Sequence, residues 1–265
     1  MTRKYSLTIF AMLSLLLALS LTAQAAAVGR FLMMEGQVDL LKGGKLPAQA
    51  ATLTDPVEVG DVIRTKSKSR AQVLFVDDTV LTLAPETRVA VADYFYDGSK
   101  GVRRALLQVF RGLAHTLVKR VLELQQPDFL MQTHTVGLGV RGTEWYTLIL
   151  PHGTNVYNMD GLLELTPSNR RIPGSLLLPA LKYSEVRRDQ APGPAQDLTP
   201  EILTMLRKMM LTGPREMLPD LFGRTLLPPG MEPPKLPEAL TSPYAPALTP
   251  THPGRQGPST PGTIP

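Results

Sequence analysis

The sequence has no cysteine among its 265 residues. This absence excludes a disulfide framework, thiol chemistry and cysteine-ligated metal sites. The four histidines, His115, His134, His152 and His252, show no His-x-x-x-His spacing, so the sequence contains no recognisable set of metal ligands. We therefore expect no metal or cofactor, and the folded part must depend on its hydrophobic core alone.

Long apolar runs are also scarce, and the main one lies at the N-terminus. Arg3 and Lys4 precede an apolar run from Leu7 to Leu21, and Ala23-Gln24-Ala25 follows it. A basic start, an apolar centre and an Ala-x-Ala end are typical of a secretory signal peptide, which we predict over residues 1–25. An uncleaved anchor is the alternative, although about 15 residues are few for a helix that needs about 20 to span a bilayer. The mature chain is expected to be periplasmic or secreted and not to span a membrane.

Charge of one sign is not concentrated in any segment. Without the leader, 26 basic residues (28 minus Arg3 and Lys4) face 23 acidic residues, a net charge of +3. The basic residues include three separate pairs, which we interpret as solvated surface: Arg103-Arg104, Lys119-Arg120 and Arg187-Arg188. Dispersed basic residues are not the pattern of a nucleic-acid-binding surface, so no nucleic-acid partner is expected.

Proline is unevenly distributed, and 17 of the 25 prolines fall between Pro192 and Pro265. Such a segment cannot build a continuous helix or sheet. We predict a linker over residues 169–197 and a Pro-rich, largely disordered tail over residues 214–265.

One short amphipathic helix is predicted between these segments, over residues 198–213. Thr199 can cap it, Pro200 suits its first position and Gly213 can end it. Its apolar face either docks on the folded domain or binds a partner.

Residues 28–168 are a series of short β-type runs separated by turn residues. For example, Arg70 to Val76 and Val80 to Leu83 flank Asp77-Asp78-Thr79, which predicts a hairpin. Turns at intervals of eight to twelve residues predict an all-β domain, a compact sandwich or β-roll of many short strands.

The segment from Lys100 to Gln126 is ambiguous. Its apolar residues recur every three or four positions, which favours an amphipathic helix. However, Gly112 lies in the middle, where glycine costs about 1 kcal/mol relative to alanine. Leu106 to Phe110 also fits a strand that ends at Arg111-Gly112, so the pattern alone favours a helix only narrowly.

A glycine-rich stretch leads into the apolar run from Trp145 to Leu150. Gly137, Gly139 and Gly142 permit close backbone approach or positive φ, and a strand, a tight corner and a second strand are predicted. Arg141 is expected to hydrogen-bond nearby carbonyls or a carboxylate such as Asp61. Trp145 belongs either to the core or to a sugar-stacking site.

The sequence contains no convincing catalytic group. Asp77-Asp78 could act as an acid–base pair or as calcium ligands, but a hairpin turn uses the same residues. Neither a Gly-x-Ser-x-Gly elbow nor a phosphate loop is present. An enzyme is therefore not expected.

Several motifs occur in the order found in the FecR periplasmic domain family, which the chain resembles over residues 30–166. The matching segments are Gly36-Gln37-Val38, Gly60-Asp61-Val62-Ile63-Arg64-Thr65, Ser69 to Asp78, Leu81 to Thr87, Val140-Arg141-Gly142-Thr143-Glu144 and Asp160-Gly161. The chain departs from the family at Asp78, where glycine is usual, and at Thr79, where serine is usual.

The resemblance implies an all-β domain whose motif residues serve turns and packing. These residues are Gly60, Asp61, Thr65, Arg70, Asp77, Gly139, Arg141, Gly142 and Thr143. It also favours a strand at Leu106 to Phe110, while a helix stays possible from Leu113 to Leu124.

The founding members of the family combine a cytoplasmic anti-sigma segment, one membrane helix and a periplasmic domain that contacts an outer-membrane transporter. Here the apolar segment begins at Leu7, so the anti-sigma function is not carried over. The resemblance implies a stand-alone, exported, non-enzymatic interaction or signal-sensing module whose partner is an envelope protein. The alternative is a cell-wall or carbohydrate-binding module.

Overall fold

Residues 26–120 and 128–214 are described by the computed structural model. The predicted leader and nearly all of the predicted tail lie outside these residues. The described strands are β1 Ala27–Glu35, β2 Val38–Leu41, β3 Gln49–Ala50, β4 Pro56–Glu58, β5 Val62–Thr65, β6 Arg70–Phe75, β7 Val80–Leu83, β8 Arg88–Asp97, β9 Val102–Val118, β10 Phe129–Gln132, β11 Val136–Val140, β12 Thr143–Leu150, β13 Gly153–Asp160, β14 Leu162–Pro167, β15 Leu176–Pro179, β16 Lys182–Arg187 and β17 Gln196–Asp197. A 3-10 turn covers Lys42–Gly44, and one α-helix, α1, covers Pro200–Thr212.

The strands form two sheets. The first sheet has the order β4-β1-β6-β7-β9-β12-β13-β16-β17. The second has the order β3-β2-β5-β8-β9-β10-β11-β14-β15. Every pairing is antiparallel except that of β9 with β10, which is parallel. The prediction of an all-β domain, a compact sandwich or β-roll of many short strands, is confirmed.

Strand β9 belongs to both sheets because it bends at Gly112. Its first part pairs with β8 and β10, and its last part pairs with β7 and β12. Gly112 has φ +91°, and a Cβ there would lie 2.3 Å from Thr87 Oγ1. The Leu113 amide donates to Thr87 Oγ1 at 3.1 Å. Only glycine fits this close approach and this φ.

The helix predictions for this segment are wrong where the structure describes it, since β9 runs unbroken to Val118. The strand also continues past Arg111-Gly112, where we expected it to end. Its central position explains the error: a strand covered on both faces carries apolar residues on both faces, and their spacing imitates a helical period. Residues 121–127 lie outside the described residues.

The core lies between the sheets and is contributed by both of them. Tyr94 stacks on Phe75 with ring centroids 4.5 Å apart. Phe129 meets Tyr94 and Trp145 edge to face, at 6.4 and 6.1 Å. Such aromatic pairs stabilise a core by about 0.5–1.5 kcal/mol beyond their burial.

Strands β15, β16 and β17 lie within residues 169–197, which the sequence analysis predicts to be a linker. Leu178 and Val186 are fully buried in the core, so the folded body extends beyond residue 168. These strands are short: β15 ends at Pro179, a turn at Leu181 with φ +58° precedes β16, and Pro192 and Pro194 lie between β16 and β17. Short runs punctuated in this way resemble a loop in sequence.

Helix α1 docks on the outer face of the first sheet. Of the two predicted alternatives, docking on the folded domain or binding a partner, the structure shows docking. Leu206 and Met209 are fully buried against a cluster that includes Leu148 and Tyr157. The helix is capped as predicted, because Thr199 Oγ1 accepts from the Ile202 amide at 3.5 Å. No helix in the described part of the chain has the length and hydrophobicity needed to cross a membrane.

Candidate functional site

Asp61 fixes two turns from a buried position. Its Oδ2 accepts from Lys42 Nζ and from the Glu58 amide, each at 2.9 Å, and its Oδ1 accepts from the Gly43 amide at 2.9 Å. Gly60, with φ +91°, supplies the turn before it. The expected bond to Arg141 is wrong, because Lys42 provides the charge that balances Asp61.

Thr65 joins β5 to the turn before β8. Its hydroxyl donates to the Ala84 carbonyl at 2.7 Å and accepts from the Thr87 amide at 2.9 Å. Arg70 forms an ion pair with Glu35 between β6 and β1. Both motif residues therefore hold neighbouring strands together.

Asp77 belongs to a charged network inside the sandwich. Arg103 Nη1 donates to Asp77 Oδ2 at 2.9 Å, and the same guanidinium donates to both oxygens of Asp128 at 2.9 and 2.8 Å. The Tyr94 hydroxyl donates to Asp77 Oδ1 at 2.6 Å. The side chains of Arg103 and Asp77 are fully buried. This arrangement is a bidentate, charge-assisted pair extended by a second carboxylate.

The network shifts the protonation equilibria of its members. Burial acts to lower the pKa of Arg103, but hydrogen bonds and charges from Asp128 and Asp77 outweigh it and raise that pKa. Burial, followed by the charge of Asp77, raises the pKa of Tyr94 well above its usual value. Arg103 therefore stays charged, and Tyr94 stays a neutral donor.

The interpretation of Arg103 as solvated surface is wrong. Its neighbour Arg104 does lie at the surface, where its Nε pairs with Asp93 at 2.6 Å. If this segment is treated as a strand, Arg103 and Arg104 are expected on opposite faces, because every second residue of a strand faces the same side. Arg103 shares the inner face with Ala105 and Leu107, and the ambiguity with a helix concealed that pattern.

The corner around Arg141 depends on close backbone packing. Gly142 has φ +99°, and a Cβ there would lie 2.6 Å from Arg120 Cβ. The Thr143 hydroxyl donates to the Leu162 carbonyl at 3.4 Å. Gly139 pairs with both flanking strands of the second sheet. Arg141 itself is exposed and forms no hydrogen bond or ion pair with other described residues, contrary to the expected structural bond.

Trp145 is fully buried, and its indole N–H donates to Thr147 Oγ1 at 3.0 Å. Its ring system meets the Phe129 ring in a T-shaped arrangement in the core, with centroids 6.1 Å apart. Sugar stacking needs an open aromatic face, so the suggested role of Trp145 in binding carbohydrate is wrong.

Two open depressions lie beside this corner and share Arg120. One, of about 410 Å³, is lined by residues that include Asp78, Tyr96 and Lys119. The other, of about 330 Å³, is lined by residues that include Arg141 and Glu164. Both have charges of mixed sign. Within residues 26–120 and 128–214 no three His, Asp or Glu side chains are grouped so as to hold a metal ion.

Residues 61–161 match the family model described as FecR protein. Over these residues the chain is similar to a FecR domain. The match begins at Asp61, whose carboxylate fixes the first turns, and ends at Gly161, which follows β13. It therefore covers both halves of β9 and the buried network of Asp77, Arg103 and Asp128. The FecR motif residues outside the exposed corner at Arg141 thus serve turns, strand pairing and packing.

Similar solved structures include two crystal structures, at 1.65 and 2.50 Å resolution, of a candidate anti-sigma factor from Parabacteroides distasonis ATCC 8503. Each has a TM-score of 0.43 and 17% sequence identity, over 54% of this chain and 62% of the other. This chain therefore spans less than two thirds of the length of those proteins. No curated protein matches it.

Proposed function

We propose that this chain is an exported, non-enzymatic FecR module that binds another protein of the cell envelope and takes part in signal sensing. The FecR match over residues 61–161 carries this proposal, because the family is regulatory and its domains are typically periplasmic. The internal contacts of Asp61, Thr65 and Asp77 agree with it, since these motif residues build a scaffold and leave recognition to the sheet faces.

Export is part of the proposal and rests on the N-terminal sequence. The basic, apolar and Ala-x-Ala segments end at Ala25, and β1 begins two residues later, at Ala27. A cleavage site directly before the first strand would release the sandwich intact. N-terminal sequencing of the protein from an envelope fraction should give a mature chain that starts within two residues of Ala26.

Protein binding is tested by crosslinking the tagged full-length chain in its native host, followed by mass spectrometry. The proposal predicts one dominant envelope protein, whose crosslinks map to residues of the sandwich. Retention on purified sacculi without a crosslinked protein would instead support the alternative, a cell-wall or carbohydrate-binding module. No candidate residue for sugar stacking supports that alternative now, because Trp145 is buried.

A further inference from the structure

A row of arginines crosses three neighbouring strands on the outer face of the second sheet. Arg64 of β5 lies directly opposite Arg88 of β8, and Arg88 lies directly opposite Arg111 of β9. Opposite residues on antiparallel strands have Cα atoms about 5 Å apart, so this arginine row is about 10 Å long. Like charges in such positions repel one another and destabilise the sheet.

The two ends of the arginine row have carboxylate partners, whereas its centre has none among the described residues. Arg64 pairs with Asp39, which faces it from β2. Arg111 pairs with Glu86 at 3.2 Å. Arg88 forms no ion pair with any residue in 26–120 or 128–214, and it carries its charge between two other arginines.

Arg88 is also held in an unfavourable setting. Its Nε is buried without a hydrogen-bond partner, and a buried donor left without an acceptor costs free energy. Its guanidinium lies 5.3 Å from the centre of the Phe110 ring, which attracts the cation but offers no acceptor. Burial, followed by the charge of Arg64, lowers the pKa of Arg88.

The surroundings of Arg88 have an excess of positive charge. Among the described residues of this surface, four cations face two carboxylates, a net charge of +2, from Arg64, Lys66, Arg88, Arg111, Asp39 and Glu86. The planar guanidinium fork fits a carboxylate through two parallel hydrogen bonds. An incoming carboxylate would therefore accept from the terminal Nη donors of Arg88, which are not buried as its Nε is, and would reduce the repulsion along the row.

We propose that the arginine row binds an acidic segment of a partner protein, with one carboxylate on Arg88. Charge complementarity selects an acidic partner, and the spacing suits a polypeptide. Acidic side chains four residues apart on a helix are about 6 Å apart, close to the distance between neighbouring arginines in the row. The buried apolar cluster of Leu41, Val62 and Ala90 lies on the same face, with Phe110 packed against it. This inference rests on the proposed protein-binding function and names its surface.

The test measures binding of a fluorescent oligoglutamate peptide to the leader-free chain by anisotropy at low salt. Arg88→Met keeps an apolar stem over Phe110 and removes the charge, so the dissociation constant should rise about tenfold. Arg104→Met is the matched control, because Arg104 also lies over a ring, 5.9 Å from the centre of Phe95, but already pairs with Asp93. The control should change binding by less than about twofold.

Thermal unfolding separates binding from a structural role. Because Arg88 forms no ion pair with a described residue and faces two other arginines, Arg88→Met should leave the melting temperature unchanged or raise it. A second variant, Arg111→Gln, alters an exposed end of the row and should weaken binding several-fold while the protein stays folded. A clear loss of thermal stability in Arg88→Met would assign Arg88 to the fold and overturn the proposal.

Three binding results would also overturn it. They are an equal loss of affinity in Arg104→Met, no binding of oligoglutamate, and Arg88-dependent binding of phosphatidylglycerol vesicles in place of the peptide. Crosslinking of the full-length chain to an envelope protein is a separate measurement. If it succeeds while the peptide test fails, the arginine row is refuted and the proposed function is retained.

Discussion

Arg103 lies between two carboxylates in the interior, and four hydrogen bonds use four of the five N–H donors of its guanidinium. Two go to Asp128, one to Asp77 and one to the Lys119 carbonyl, the last at 2.9 Å. The two aspartates belong to parts of the chain that are distant in sequence, the β6–β7 turn and the start of β10. Arg103 therefore joins the two halves of the sandwich across β9.

Arg103→Met should destabilise the protein by about 3–5 kcal/mol, because it leaves two buried carboxylates without a cation. Urea unfolding measures the difference in the free energy of unfolding. Arg104→Met, one residue along the same strand, should cost less than about 1 kcal/mol because its ion pair is exposed. A loss below about 1 kcal/mol for Arg103→Met would contradict this account of the network.

Asp39, on the surface of the second sheet, makes the stability of the fold depend on pH. Burial acts to raise the pKa of Asp39, but hydrogen bonds from Lys66 and Arg64 outweigh it and hold that pKa below its ordinary value of 3.8. A carboxyl whose pKa is lower in the folded state stabilises the fold above the unfolded value. That contribution is lost as the pH falls through the folded value.

Asp39→Asn should therefore be less stable than the wild type at neutral pH, by under about 1 kcal/mol because the pair is near the surface. The difference should shrink as the pH falls below 3.8 and vanish once the pH is below the lower folded pKa of Asp39. Urea unfolding of both proteins over a pH series measures it. A difference that stays constant down to the most acidic condition would show that the charge of Asp39 has no part in it.

Local sequence patterns predicted the residues that form turns better than they predicted the buried charged contacts. Gly60, Asp61 and the hairpin around Asp77 were recognisable because turn geometry demands particular residue types at local spacing. The pairing of Arg103 with Asp128 was not, since it depends on β9 and β10 running parallel side by side. Such a contact follows from topology, which no local pattern contains.

At the scale of elements, β9 is decisive because one bend places it in both sheets. Gly112 has φ +91° and lies against Thr87. The Thr87 hydroxyl accepts from the Leu113 amide and donates to the Leu113 carbonyl, both at 3.1 Å. Gly112 and Thr87 thus stabilise the bend in β9, and the strand continues through it.

Gly112→Ala should cost about 2–5 kcal/mol, since its Cβ would overlap Thr87 and adopt a disfavoured φ. Gly43→Ala is the matched control: it has φ +56° but no atom within 4 Å of the added Cβ, and it should cost about 1 kcal/mol. Chemical denaturation gives both values. Equal costs would show that conformation alone, and not packing on Thr87, requires glycine at the bend.

For the whole molecule, the folded body reaches from β1 to α1. The sequence predicted the sandwich and the helix, because repeated turns and capping residues are local features. It placed the end of the domain too early because β15, β16 and β17 are short and gain their stability from neighbours. Leu178 and Val186 are fully buried, and only the assembled sheets show what covers them.

A leader-free chain that ends at residue 168 should fail to fold cooperatively, because it loses three strands and α1 and exposes the core around Leu163 and Val156. A chain that ends at residue 214 keeps all of these elements and should unfold cooperatively within a few degrees of the full-length protein. Circular dichroism and thermal unfolding compare the two. A cooperative transition of unchanged midpoint in the shorter chain would show that the last strands are dispensable.

Site-specific photo-crosslinking in the native host tests most directly whether this chain recognises another protein through the arginine row. A photoreactive residue at position 108, on the outer face of the second sheet, should capture an envelope protein, and Arg88→Glu should abolish the capture through charge repulsion. The same residue at position 117, which is exposed on the first sheet, should not capture that protein. Capture at position 108 that is unaffected by Arg88→Glu, or capture of that protein from position 117 alone, would contradict the account.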